Sequence, residues 1–595
     1  MNHLKGLHVL ILGLGDSGLA IAAWCLRHGA TARVWDSREN PPQLAALREQ
    51  LPAVDFFSGA LAAEAVSGMQ LVLKSPGLSP QDERLKPLLD AARASGVPVQ
   101  GELDLFARAL ADLKAERRYE PAVLAITGTN GKTTTTCMTA LLAERAGKRV
   151  AVAGNIGPSL LTTLQQALDL EPAPVLQEAA LDASSGADEA QPDGPVDTIE
   201  EIDGSELVEE AAQAAGEAEP AAQERSTLEE VAELLDEQPL PIKPPAPKPA
   251  VFEHLPEVWV LELSSFQLDT VQGFEPTAGA VLNLTQDHLD WHGDMAAYGR
   301  AKSRIFGDAA LMVINRDDPL VEAMVPVPVK LQQGRGRPSK MVARKVVRFG
   351  LDAPRQPGDY GLVHEGGMAW LVRAMEADET LKKRKGDADE ELIIQRLMPA
   401  DALRVRGRHN AANALAALAL ASAAGCALAP MLHGLREYRG EPHRVEHVLT
   451  IRGIDFYDDS KGTNVGATVA AISGLGADRA PARLLLILGG DGKGQDFSPL
   501  REPLARHARA VALIGRDAPA LEASLAAPLS DIGVTMQGFE SLQDATRWCL
   551  SQAVEGDSVL LSPACASLDM FRNYAHRAEV FVATAQELAN EEGLA

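Results

Sequence analysis

Ala125-Ile126-Thr127-Gly128-Thr129-Asn130-Gly131-Lys132-Thr133-Thr134-Thr135 decides how this chain is read. The apolar run Val123–Ile126 reads as a buried strand, the glycines as a tight turn, and the threonines as a helix beginning near Thr133. Glycine lets successive backbone N–H groups close around phosphate oxygens, and a helix N-terminus adds positive partial charge. Lys132 then supplies a mobile cation for β- and γ-phosphates, and the Thr133 hydroxyl suits a Mg²⁺ shell. Gly128 lies only three residues before Gly131, so the spacing departs from the usual phosphate loop. The competing reading is a plain turn with an exposed lysine. The order strand, glycines, lysine, threonine favours the phosphate loop.

Two more strand-and-turn units follow. Val258–Leu263 is a strand-like run interrupted by Glu262, and a carboxylate there is costly unless it is paired or meets a metal. Val281–Leu284, apolar apart from Asn283, reads as the next strand. Thr285-Gln286-Asp287-His288-Leu289-Asp290 follows its end, where α/β sheets collect ligands. Tyr298-Gly299-Arg300-Ala301-Lys302 falls on a helix. Singly, Glu262, His288 and Lys302 read as surface or capping residues; in this order behind a phosphate loop they read as a site. Arg406-Gly407-Arg408-His409-Asn410-Ala411-Ala412-Asn413 opens an alanine-rich helix whose simplest role is packing. Residues 331–345 and 376–391 read as basic and mixed-charge surface loops.

Upstream, Leu7–Leu12 is strand-like and runs into Gly13-Leu14-Gly15-Asp16-Ser17-Gly18. An apolar helix, Leu19–Arg27, and a strand, Ala32–Trp35, ending at Asp36 complete a dinucleotide-fold layout. That pattern fits an NAD enzyme as well as other nucleotide binders, or a Rossmann-like domain with no ligand. A second loop, Lys74-Ser75-Pro76-Gly77, follows the strand Leu71–Leu73. Downstream, strand, polar loop and helix repeat three times. Ile454–Tyr457 leads to Asp458-Asp459-Ser460-Lys461-Gly462-Thr463-Asn464, Leu484–Leu488 to Gly489-Gly490-Asp491-Gly492-Lys493, and Val559–Leu561 to Ser562-Pro563-Ala564-Cys565-Ala566-Ser567-Leu568-Asp569. This reads as an open parallel sheet with its loops at one edge. Each loop carries a cation or hydroxyl suited to a small dicarboxylate; plain surface loops are the competing reading.

The 595 residues suffice for about three or four domains. A net charge of −26 argues against nonspecific nucleic-acid binding, which needs a basic surface. Residues 171–250 alone hold 21 acidic and 3 basic residues. Low hydrophobicity with high net charge predicts a disordered insertion there. Within it, Leu228, Val231, Leu234 and Leu235 would give a short helix one apolar face, which could meet an unknown protein partner; a solvated linker is the favoured reading. Five scattered cysteines show no metal spacing and no even disulfide set, as expected of a reducing cytoplasm. No signal-peptide layout and no membrane-spanning stretch is legible.

The short G-T-N-G-K-T form resembles the Mur ligase family, which also includes folylpolyglutamate synthetases. The run Glu262-Leu263-Ser264-Ser265-Phe266-Gln267-Leu268, then Asp287-His288-Leu289-Asp290 and Lys302, resembles its muramyl-peptide members. The resemblance covers nearly the whole chain except 171–250. It implies three α/β domains: a Rossmann-like UDP-substrate domain at 1–117, a central ATPase domain with a parallel sheet at 118–438, and a Rossmann-like amino-acid domain at 439–595. It implies ATP on Gly128, Thr129, Asn130, Gly131, Lys132, Thr133 and Thr134, with Asn410 and Asn413 near adenine and Arg444 and Asp459 on phosphate and ribose. Two Mg²⁺ ions are implied, one on Thr133 and Glu262 and one on His288 and Lys302, with Lys302 carbamylated by CO₂. Lys132, His288 and Lys302 become the catalytic set.

Asp16, Ser17, Asp36, Ser37, Arg38, Gly77 and Asn155 are expected around the UDP substrate. The Asp-Ser-Lys-x-Thr-Asn and Ser-Pro-Ala-x-Ala-Ser-x-Asp loops resemble those of the D-glutamate-adding members. They place Lys461, Thr463, Lys493, Ser567, Leu568 and Tyr574 around D-glutamate, with Tyr574 standing where the family usually has Phe. The substrates implied are UDP-N-acetylmuramoyl-L-alanine and D-glutamate, joined through an acyl phosphate, on an expected monomer that closes on binding. A folate-type ligase and a non-catalytic scaffold remain as alternatives, the first opposed by the Gly13–Gly18 domain.

Overall fold

The computed structural model describes residues 2–172, 251–331, 340–376 and 392–593. All but the first two residues of the disordered insertion expected at 171–250, its Leu228–Leu235 helix and most of the 376–391 loop lie outside these residues.

The first sheet holds β1 (His8–Leu12), β2 (Thr31–Asp36), β3 (Asp55–Ser58), β4 (Leu71–Lys74) and β5 (Val99–Gln100), all parallel, in the order β3-β2-β1-β4-β5. Val9–Leu12 are all buried, as a strand covered on both faces requires. The helix after β1 starts at Asp16, not Leu19, so Asp16 and Ser17 belong to its first turn. Gly18 has no room for a side chain, since a Cβ there would sit 2.0 Å from the Gly13 carbonyl oxygen. The strand order reverses beside β1, so its glycine turn and the Lys74–Gly77 loop share one edge, joined by Ser75 Oγ donating to Gly13 O at 3.1 Å.

The middle sheet takes β6 (Ala122–Thr127), β7 (Val150–Gly154), β8 (Val258–Glu262), β9 (Ala278–Val281) and β10 (Leu311–Asn315). After a two-stranded ladder of β11 (Val329–Leu331) and β12 (Lys340–Val342) it adds β13 (Val346–Phe349). Its order is β13-β10-β9-β6-β8-β7, parallel throughout. Two expectations are corrected here. The strand placed at Val281–Leu284 ends at Val281, because Leu282–Asn283 turn to bond the P-loop: Leu282 N donates to Thr127 O and Thr129 N to Asn283 O. The 331–345 stretch, expected as a loop, begins at Leu331 of β11 and includes β12 at Lys340–Val342.

An unforeseen antiparallel sheet follows, β14 (Tyr360–Glu365), β15 (Met368–Glu376) and β16 (Leu392–Pro399). Its first turn is Gly366-Gly367, both at positive φ, the two-residue connection that suits strand twist. The same device corrects the fully parallel C-terminal sheet. Arg452-Gly453, φ 48° and 74°, joins β17 (Glu446–Ile451) antiparallel to β18 (Ile454–Asp458). The remaining strands, β19 (Leu484–Gly489), β20 (Ala508–Ile514), β21 (Thr535–Gly538) and β22 (Ser558–Leu561), run parallel in the order β17-β18-β22-β19-β20-β21.

The Glu171 carboxylate accepts the backbone N–H groups of Glu253, His254 and Leu255 at 2.7–2.8 Å, so the chain leaves and rejoins the middle domain at one place. A loop whose ends are already pinned costs only ~0.6 kcal/mol per doubling of length. Replacing 176–249 by a short Gly/Ser linker is therefore expected to leave the melting temperature and catalytic rate close to wild type, read by calorimetry and steady-state assay. A folded but inactive deletion protein would give the segment a gating role.

Candidate active site

β6 lies between β8 and β9, and the register aligns their carboxyl ends: Ile126 pairs with Glu262 and Thr127 with Val281. The P-loop, Glu262 and the segment leading to His288 therefore leave the sheet side by side. Gly131 adopts φ 82°, and a Cβ there would lie 2.7 Å from Asn413 Oδ1. The glycine thus lets the alanine-rich helix Arg408–Ala423 bring Asn410 and Asn413 against the loop. Lys132 Nζ folds back on its own loop, donating to Gly128 O at 3.1 Å and Thr129 O at 2.9 Å. Burial lowers its pKa, with Glu262 opposing and Arg444 adding to the shift.

Lys302 comes from the helix Met295–Ser303 and is 1% exposed. Its Nζ donates to Gly128 O at 2.9 Å and Thr127 Oγ1 at 3.1 Å, over the Tyr298 ring. Burial and then the Lys132 charge push its pKa well below the ordinary lysine range, against weaker pull from Asp287 and Glu262. Glu262 is buried; Asn155 Nδ2 donates to its Oε1 at 2.7 Å, while Oε2 has no hydrogen-bond partner among the described residues. His288 adopts φ 54° at the N-cap of Leu289–His292, edge-on to Phe266. Its pKa falls through burial, opposed by Asp287 and assisted by Lys493, Lys132 and Lys302.

The C-terminal sheet meets this loop. Arg444 Nη2 donates to Thr133 Oγ1 at 2.6 Å. Arg444, Asp459, Lys461, Asn410, Asn413, Asn130, Gly131 and Thr134 line one pocket. Burial raises the Asp459 pKa to about 7, against the Ser562 hydroxyl, which donates at 2.6 Å, and Arg444. Lys461, Lys493 and Ser567 stand beyond the ends of the neighbouring strands β18, β19 and β22. A reciprocal backbone bridge between Asp491 and Ala566 ties the last two loops together, and Lys461 Nζ lies 3.7 Å above the Tyr574 ring. Thr463 N closes a turn on Lys461 O, and Leu568 is exposed.

The expected UDP set is only partly gathered. Asp16, Ser17 and Asn155 line a cavity of about 770 Å³ between the first and middle sheets. Asp36, Ser37, Arg38 and Gly77 do not line it. Asp36 accepts Leu14 N at 2.8 Å and both the backbone and guanidinium of Arg38. Burial alone would raise its carboxyl; Arg38 and the Leu14 N–H outweigh it and hold the pKa to about 2.

Sequence reasoning missed Arg577. It is fully buried, and donates to Ser460 Oγ and O and to Cys565 O, bracing two of the three C-terminal loops. It also missed His292, whose Nε2 lies 2.9 Å from Ser265 Oγ. An arginine on an amphipathic helix offers no pattern that marks it as interior.

Comparison with known proteins agrees over the whole length. Residues 7–101 match the Mur ligase MurD-like N-terminal domain, 126–186 and 249–333 the Mur ligase middle domain, and 443–565 the Mur ligase glutamate ligase domain. UDP-N-acetylmuramoylalanine--D-glutamate ligase of Albidiferax ferrireducens is 52% identical, covering 100% of this chain and 99% of its own. The chain belongs to the Mur ligase family. Proteins of the same name from a Polaromonas species and from Burkholderia pseudomallei are 46% and 49% identical, each alignment covering at least 98% of both chains.

Mur ligases use ATP and Mg²⁺. The residues present in this Mur ligase fit a divalent cation. A carboxylate oxygen buried without a donor, as Glu262 Oε2 is among the described residues, is costly until a cation meets it. No helix among the described residues is long and apolar enough to cross a membrane.

Asp459 supplies a pH test. Its folded pKa of about 7 stands above its ordinary 3.8. The fold prefers the protonated form, so stability is fullest below pH 4 for this group and is lost as pH rises through 7. Asp459→Asn should raise the melting temperature of the ligand-free protein more at pH 8 than at pH 5. An equal shift at both pH values would contradict the raised carboxyl.

Proposed function

We infer that this Mur ligase joins D-glutamate to UDP-N-acetylmuramoyl-L-alanine at the expense of ATP, in peptidoglycan precursor synthesis. The full-length likeness to D-glutamate ligases supports the substrate pair. The observation that carries the chemistry is Arg444 on Thr133, which brings the C-terminal loops against the phosphate loop. The match of 7–101 to a MurD-like N-terminal domain speaks against the folate-type alternative.

ATP lies with its phosphates on Gly128–Thr134 and its adenosine between Asn410, Asn413 and Asp459. Lys132 leaves its own loop carbonyls to meet the β- and γ-phosphates, and Arg444 adds charge beside them. The UDP substrate enters from the cavity lined by Asp16, Ser17 and Asn155 and carries its terminal carboxylate to the γ-phosphate. Phosphoryl transfer gives an acyl phosphate and ADP. The amine of D-glutamate, its carboxylates held by Lys461, Lys493 and Ser567, attacks the carbonyl, loses a proton and expels phosphate. Tyr574 backs the Lys461 amine. Thr133, Glu262, His288 and Lys302 would hold Mg²⁺, which supplies charge neutralisation on the transferring phosphoryl group. A neutral Lys302 amine is the form that captures CO₂, and the resulting carbamate is an anionic oxygen donor for a hard cation. The domains at 1–117, 118–438 and 439–595 each bring one substrate. The protein works as a cytoplasmic monomer, without nucleic acid or membrane insertion.

Phosphate release measured with ATP, UDP-N-acetylmuramoyl-L-alanine and D-glutamate tests the reading; release only with a folate acceptor, or none at all, would overturn it. Lys302→Ala should abolish release, and short carboxylic acids should restore part of it by standing in for the carbamate. Wild-type rates for Lys302→Ala in plain buffer would remove Lys302 from the mechanism.

A further inference from the structure

Asn464 ends the loop that carries Lys461 and Thr463, yet the reaction above gives it no part. It is buried, and its Oδ1 accepts Ala467 N at 2.9 Å, capping the helix Val465–Arg479. The same side chain also reaches out of its domain. Its Nδ2 donates to Asn130 Oδ1 at 3.0 Å, and Asn130 Nδ2 donates back to Asn464 Oδ1 at 3.2 Å. Two primary amides thus pair reciprocally, one from the phosphate loop and one from the helix behind the D-glutamate loop.

The Asn130 end is fixed in its turn. Its N–H donates to Asn283 Oδ1 at 2.8 Å and its carbonyl accepts Asn283 Nδ2 at 3.0 Å. A second observation shows how closely the two domains meet here. A Cβ on Gly466 would lie 2.8 Å from Thr285 Oγ1 and 3.2 Å from Asn130 Nδ2, so the first turn of the helix approaches the loops only as glycine.

We propose that Asn464 is a positioning residue that latches the C-terminal sheet onto the phosphate loop, so that the nucleotide site and the D-glutamate loops are set together. The proposal rests on the ligase reading above. Capping needs only a short acceptor, which Ser and Asp supply as well as Asn. The reciprocal pair needs a donor and an acceptor on one side chain at this reach, which a carboxylate lacks and a serine is too short to offer. Cap and latch therefore make different demands at one position.

The test compares wild type with Asn464→Ser and Asn464→Asp. Melting temperature, the Kd of a non-hydrolysable ATP analogue by calorimetry and the KM for D-glutamate are measured on each. Both variants keep the cap; Asn464 Nδ2 also lies 3.5 Å from Asp287 Oδ2, so only Asn464→Ser, which adds no charge there, should match the wild-type melting temperature. Asn464→Ser loses both hydrogen bonds and Asn464→Asp the one that Nδ2 donates, so both should weaken analogue binding, the serine variant by roughly tenfold, and raise the KM for D-glutamate by similar factors. Binding of the UDP substrate alone should not change. Wild-type analogue affinity in both variants overturns the latch, including the case where only the D-glutamate KM moves, which would make Asn464 a direct contact to the amino acid. Weaker binding accompanied by lost thermal stability in Asn464→Ser would make it a structural cap and overturn the latch as well. A wild-type protein that binds the analogue but releases no phosphate would instead sink the ligase reading, and the binding comparison would still decide the latch.

Discussion

Two lysine amines share one backbone carbonyl. Lys132, at the end of the phosphate loop, and Lys302, from the helix Met295–Ser303, both donate to Gly128 O. Neighbouring ammonium groups in a partly dry site repel each other, and burial adds its own penalty on charge. Glu262 and Asp287 offset part of this. The less exposed amine, Lys302, yields its proton more readily, while Lys132 keeps a route to an incoming polyphosphate. An incoming polyphosphate would balance the positive charge that Lys132 keeps.

That balance depends on the middle sheet. The β8-β6-β9 register brings Glu262, the glycine turn and the His288 segment to the same edge, and each is buried or braced by a neighbour from another element. Asn155 holds one oxygen of Glu262, Asn283 holds both backbone groups of Asn130, and Asn413 occupies the space that a side chain at residue 131 would need. Asparagine recurs because one short side chain both donates and accepts, so a tight turn can be satisfied from outside without adding charge.

Much of this was legible in the chain. The β6–P-loop–helix unit, the Glu262 strand and the Lys302 helix stand where apolar periodicity and glycine placement put them, because those signals are local. Two turns with local signals were overlooked: Gly366-Gly367 and Arg452-Gly453 each join adjacent strands by two positive-φ residues. Other features are not local. Arg577 reads as a surface arginine, and only the tertiary fold aims it at Ser460 and Cys565. The Asn130–Asn464 pair spans two domains and leaves no mark on either segment. Asp36 and Arg38 are chemically suited to a nucleotide, yet a sequence cannot say that they bond each other.

The most direct test of this account is the protonation state of Lys302. Lysine side chains labelled with ¹³C at the ε-carbon can be titrated by NMR in CO₂-free buffer, with the Lys302 signal assigned by its loss in Lys302→Arg. On this account the Lys302 resonance should move to the neutral-amine position at a pH well below that of the exposed lysines. A Lys302 signal that titrates with those lysines, near the ordinary value of 10.5, would contradict it.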